Sequence, residues 1–135
     1  MVAKGKKLTK SEEQMMDIFW SGGKPLTSVD IVNMKVRDTW GNGLVHNIIR
    51  SLLKKELLEE CGIERYKTQY ARKLRPAMTK EEYIAKMMFH RADGKESRYK
   101  VMLALAKEEE DTDEMIRDLK EIIQELREDV VVEQK

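Results

Sequence analysis

The sequence predicts a mainly α, α+β chain, with three short amphipathic helices, a basic two-stranded hairpin and a helical C-terminal region. Three observations predict it. Apolar residues recur at helical spacing in separate segments of the chain. Hydroxyl-and-carboxylate start signals stand before several of those segments. Between Leu57 and Arg72 the pattern changes to that of strands around Gly62.

Thr9-Lys10-Ser11-Glu12 has the form of a capping box and opens a helix with Met15, Ile18 and Phe19 on one face. Gly22-Gly23 ends that helix, and Pro25 keeps it ended. Thr27-Ser28-Val29-Asp30 opens a second helix, where Val29, Val32 and Val36 form the apolar stripe. A turn follows at Trp40-Gly41-Asn42-Gly43, with Asn42 the expected cap of the third helix. Val45, Ile48, Ile49, Leu52 and Leu53 then repeat at i, i+3, i+4, i+7 and i+8, the clearest stripe in the chain. The segments 57–61 and 66–72 flank Gly62-Ile63-Glu64-Arg65 and predict a hairpin with that tetrapeptide as its loop. Tyr66, Thr68 and Tyr70 are expected on one face of it. Beyond it, Thr79-Lys80-Glu81-Glu82 and Asp111-Thr112-Asp113-Glu114 start further helices, and another begins around Tyr99.

Composition narrows the function classes. The 135 residues carry 41% hydrophobic and 38% charged residues, with mean hydropathy −0.63. No apolar run reaches the roughly 18 residues of a membrane span, and Met1–Lys7 has no signal-peptide apolar core, so a cytoplasmic protein with no membrane partner is expected. Cys61 is the one cysteine, which excludes a disulfide scaffold and leaves no thiol pair for redox chemistry. His46 and His90 lack ligand spacing, so neither a metal nor a cofactor is expected. Gly-rich phosphate loops, HExxH and Gly-x-Ser-x-Gly are absent, and the expectation is a non-enzyme.

Charge is divided unevenly. Residues 1–75 hold 15 Lys+Arg against 9 Asp+Glu, a net +6, whereas residues 76–135 net −5. A polyanion partner therefore belongs to the front half. Three short helices followed by a basic hairpin make a winged helix-turn-helix, although a generic small α+β domain with a solvated basic face fits the same elements. The expected domains are 8–75, a winged helix that binds DNA, and 76–135, a helical dimerisation region. Small helical regions bury too little surface alone, and a second copy of the chain is the simplest cover. Folding back on the front domain is the other way to cover them.

Several runs of residues recur here in a familiar order. They are Leu8-Thr9-Lys10-Ser11-Glu12, Met15 to Trp20, Thr39-Trp40, Leu52 to Leu58, Tyr66 to Tyr70 and Thr79 to Tyr83. In these the chain resembles the penicillinase-repressor family of transcriptional repressors. The resemblance implies a winged helix-turn-helix, a homodimer formed by C-terminal helices, a cytoplasmic non-enzyme, and a pseudo-palindromic double-stranded DNA operator as partner. It also implies a protease or sensor that relieves repression. The Asn-Phe dipeptide cleaved in some relatives is missing, because Phe89 follows Met88, and the C-terminal cysteine cluster of the copper-responsive relatives is missing too. Where the family commonly has Ser-Pro-Lys-Thr-like residues at the start of the third helix, this chain has Gly41-Asn42-Gly43-Leu44.

Helix-turn-helix geometry assigns the candidate contacts. With the apolar stripe turned to the core, Gly43, Leu44, His46, Asn47, Arg50, Ser51 and Lys54 face outward. Asn47 suits an adenine edge, Arg50 a guanine edge and Leu44 a thymine methyl. Trp40, Asn42 and Gly43 stand at the helix mouth and Lys54 and Lys55 at its far end, where backbone contacts form. Arg65, Tyr66 and Lys67 belong to the wing. Tyr99, Met102, Leu103, Ile116, Leu119, Ile122, Ile123 and Leu126 are the dimerisation candidates. The rival class is a protein-interaction adaptor built on a winged helix that has lost base readout.

Overall fold

The structure is a computed structural model that describes residues 7–133, with side chains described through Val131. The stretch expected to lack a signal-peptide core lies outside the described residues, apart from Lys7.

Helix α1 spans Lys10–Gly22 and begins as its capping box requires. Thr9 Oγ1 accepts the Glu12 N–H at 3.2 Å, and the Glu12 carboxylate accepts the Thr9 N–H at 2.8 Å. The helix stops at Gly23, whose φ of +70° is left-handed and carries no Cβ penalty in glycine. Helix α2, Ser28–Met34, has the same reciprocal cap from Thr27 and Asp30. Its stripe differs from the expected one. Ile31 is the buried residue, Val29 and Val32 are half-buried, and Val36 is exposed beyond the helix end at Lys35. Seven residues give too few turns for an i+7 partner to remain helical.

Helix α3 spans Asn42–Lys54 and buries Val45, Ile48, Ile49 and Leu52, with Leu53 packed at the core's edge, as the periodicity predicts. Its N-cap is Gly41, however, and Asn42 is the first helical residue. A glycine has no side chain to cap with, and no side-chain cap bond forms.

The hairpin pairs β1, Leu58–Tyr66, with β2, Gln69–Pro76, in antiparallel register. Gly62-Ile63-Glu64-Arg65 is strand, not loop. Gly62 marks a β-bulge, where Cys61 is the extra residue between the Glu60↔Leu74 and Gly62↔Lys73 pairs. The turn lies at Lys67-Thr68, with Lys67 at φ +54°. Tyr66, Thr68 and Tyr70 therefore do not share a face. Tyr66 pairs with Gln69 and Arg65 with Tyr70, which turns Tyr66 and Tyr70 to opposite sides. Leu26 adds a short antiparallel bridge to Leu74 through two backbone bonds of 2.9 and 2.8 Å.

All of these elements close on one core around Met15, Met16, Phe19, Ile31, Ile49 and Leu52. Each such side chain contributes about 1.5–3 kcal/mol on burial. Charge changes sign at Arg75, but packing continues beyond it. Met78 is buried in the same core, Trp20 Nε1 donates to the Met78 carbonyl at 3.0 Å, and the Tyr83 ring lies 5.6 Å from that of Trp20. Helix α4, Lys80–Arg91, thus belongs to the first compact unit, which extends to Arg91. The second unit begins at Ala92 and holds α5, Gly94–Glu108, and α6, Thr112–Glu133.

Candidate nucleic-acid interface

The two sides of α3 have opposite chemistry. One side is locked into the core, and the other exposes Asn42, Gly43, Leu44, His46, Asn47, Arg50 and Lys54. Among the described residues, neither Asn47 nor Arg50 has a side-chain hydrogen bond or ion pair, so their donors and acceptors are open to an external partner.

Ser51, expected outward, is half-buried and turned to α1. Its hydroxyl donates to Glu12 Oε2 at 2.5 Å, while Lys55 Nζ, expected at the DNA backbone, is instead drawn to the buried Glu12 carboxylate, reaching Oε1 at 2.7 Å. Glu12 is 4% exposed and accepts the Thr9 N–H as well. Burial alone would raise its carboxyl. Hydrogen bonds from Lys55, Ser51 and the Thr9 backbone, with the Lys55 charge, outweigh that and pull it down to about 2. One carboxylate thereby caps α1 and clamps the C-terminal end of α3 to it. The orientation of the exposed α3 face is set by this clamp together with the apolar stripe.

The mouth of α3 differs from expectation in one residue. Trp40 is 7% exposed and belongs to the core, so its indole closes the turn before α3 instead of facing outward. A large aromatic ring gains more from burial there than from solvent. Leu44 remains exposed on the first turn. A Cβ added at Gly41 or Gly43 would meet nothing within 4 Å, and the first turn holds no acidic residue.

The wing also divides in a way the sequence did not announce. Tyr66 turns inward. Its hydroxyl lies 3.2 Å from Asp30 Oδ1, which only accepts, and 2.7 Å from Thr27 Oγ1. The single phenolic proton therefore goes to Asp30, and the Thr27 hydroxyl donates to Tyr66. The Thr27 bond lowers the phenol's pKa, but burial and the Asp30 charge prevail and raise it. Tyr66 is thus a strut between β1 and the α2 cap. On the opposite face, Tyr70 is 67% exposed, with the Arg65 guanidinium 5.9 Å from its ring centroid. Ile63 and Arg72 are cross-strand partners on that same face. Lys67 is exposed at the tip, and Arg65 Nε donates to its carbonyl at 2.8 Å. Tyr70 was missed because the expected loop misplaced the strand's alternation. An aromatic next to a basic residue in the register was the available signal.

In the second unit, Tyr99, Met102 and Leu103 on α5 and Ile116, Leu119, Ile122, Ile123 and Leu126 on α6 are all exposed. Among the described residues, no His, Cys, Asp and Glu group could hold a metal ion, and no helix is long and apolar enough to cross a membrane.

A family model described as Penicillinase repressor matches residues 8–125, which takes in the three front helices, the hairpin and much of α6. A search of curated proteins finds no match.

Proposed function

The chain belongs to the penicillinase-repressor family of non-enzymatic, DNA-binding transcriptional repressors, and from that premise we propose that it represses as a homodimer on a pseudo-palindromic operator. Each copy inserts α3 into a major groove of one half-site. Asn47 pairs with an adenine edge, Arg50 takes a guanine edge in bidentate fashion, and Leu44 packs on a thymine methyl. Lys54 and the backbone around Asn42 and Gly43 hold phosphates. Arg65 and Lys67 of the wing meet the flanking backbone, with Tyr70 taking the place first given to Tyr66. The observation that supports this most is the open Asn47–Arg50 pair on a helix whose back is locked into the core.

Residues 76–135 supply the second contact, between chains. The exposed apolar residues of α5 and α6 support pairing of two copies, and the net −5 of this region keeps it off the phosphates. Linking two half-sites raises operator affinity by about 10²–10⁴. A protease or sensor that separates the copies would remove that gain and relieve repression.

The test is a salt series of electrophoretic shifts on DNA from upstream of the chain's own gene. A repressor gives a sequence-specific complex whose affinity falls steeply with salt. Weak retention, alike on operator and random DNA, would mean that α3 no longer reads bases.

A further inference from the structure

Helix α4 is held to α1 at its base. Trp20 Nε1 donates to the carbonyl of Met78, just before α4, and the Trp20 and Tyr83 rings lie 5.6 Å apart at an angle of 37°. Lys80 Nζ pairs with Asp17 Oδ1 at 3.3 Å. Asp17 and Trp20 stand one turn apart on α1, as Lys80 and Tyr83 do on α4, so the two helices meet through matched i, i+3 pairs. Met78 is buried in the core, whereas no residue of α4 is, and Phe89 towards its far end is 57% exposed. Paired aromatic rings have preferred geometries, so Trp20 and Tyr83 resist a change in the angle of α4 as well as its departure.

A helix fixed at one end is a lever. Its 12 residues span about 18 Å, and a tilt of about 10° at the base moves the far end by about 3 Å. One base-pair step along a duplex is about 3.4 Å, with about 35° of rotation. Ala92 and Asp93 alone separate α4 from α5, and Ala92 is itself buried, so the link carries little slack.

We propose that the contact of Trp20 with Tyr83 sets the half-site spacing that the repressor accepts, the two side chains serving as positioning residues and not as DNA contacts. This rests on the homodimer reading above and adds what fixes the distance between its two recognition helices. The chain reaches its second copy through α4, so the angle between α4 and α1 is passed on to the separation of the two α3 helices. Freeing that angle lets spacings that the parent rejects be bound.

The test uses the operator found by footprinting DNA upstream of the chain's own gene. Duplexes with its centre shortened or lengthened by one and two base pairs, and one with a single half-site, are compared by electrophoretic shift. Sedimentation and urea unfolding of each protein run alongside. The parent should lose about tenfold or more in affinity for a one-base-pair change, part of the gain from linked half-sites. Tyr83→Ala should lose less than about threefold, with parental affinity for the single half-site, and Tyr83→Phe should restore the selectivity. Trp20→Phe, which removes the bond to the Met78 carbonyl, replaces Tyr83→Ala if that variant does not fold. Parental selectivity in the folded variant, or a weakening shared by every duplex with the single half-site included, would overturn the inference and leave the repressor reading standing. A parent that gives no footprint, or sediments as a monomer, would overturn both.

Discussion

Replacing Glu12 with Gln tests whether the α1–α3 clamp contributes as its geometry requires. In the folded chain its carboxyl sits at about 2 instead of 4.5. At about 1.4 kcal/mol per pH unit, that difference is worth roughly 3 kcal/mol. Lys55 keeps a side-chain exposure of 20%, and water at that end trims the figure to about 2–3 kcal/mol. Because the folded pKa is depressed, the contribution is fully present above pH about 4.5 and is lost as pH falls through about 2. Glu12→Gln should therefore lower stability by about 2–3 kcal/mol at pH 7, and the gap to the parent should close between about pH 5 and pH 2. The assay is urea unfolding across that range, followed by the fluorescence of Trp20 and Trp40, both packed with the front core. Against a total of about 5–15 kcal/mol the variant stays folded, so its operator affinity can be measured as well. A loss at pH 7 below about 0.5 kcal/mol, or a gap constant across the range, would refute the reasoning.

On the operator, Asn47→Ala or Arg50→Ala should each cost about 1–3 kcal/mol and relax base preference. Lys54→Ala should weaken operator and random DNA alike and lower the salt slope, both read by filter binding. Leu119→Asp with Ile123→Asp should abolish the dimer in sedimentation and cut operator affinity by about 10²–10⁴ with the DNA-facing residues untouched. Tyr66→Phe should cost about 1–3 kcal/mol in urea unfolding, because it leaves the buried Thr27 hydroxyl short of a partner. Cys61→Ser should hold operator affinity within about threefold, since the thiol sits at a bulge with its Sγ 3.5 Å from the Lys73 carbonyl. Oxidation-sensitive binding that disappears in Cys61→Ser would contradict that expectation.

What the sequence made legible was local. The α3 stripe and the Thr9, Thr27 and Thr79 boxes each complete their logic within about one or two turns, and all recur in the structure. The hairpin turn escaped because its signals pointed elsewhere. Gly62 marked a bulge, while the real turn put left-handed backbone on Lys67, a residue that gives no warning of it. Trp40 and Tyr66 were given to DNA because each has a polar tip beside basic neighbours. The residues that claim Tyr66 are Thr27 and Asp30, far away in the chain, and no periodicity links them. The Glu12–Ser51–Lys55 clamp was hidden for the same reason: its two ends meet only when α1 and α3 pack.

Gly41 and Gly43 have an implication for how such a regulator can diverge. Neither is required by a left-handed φ, and added bulk at either would meet open space. Folding tolerates change at both, since Ser, Asn or Asp at the Gly41 N-cap would add a cap bond, Ala there would cost under about 1 kcal/mol, and Gly43→Ala would gain about 1 kcal/mol of helix propensity. On the proposed reading, in which the backbone around Gly43 meets DNA, heritable variation at the mouth of α3 is filtered mainly by the target site and less by the need to fold. A duplicated gene could drift to a new regulatory site through these two codons while its product stays intact.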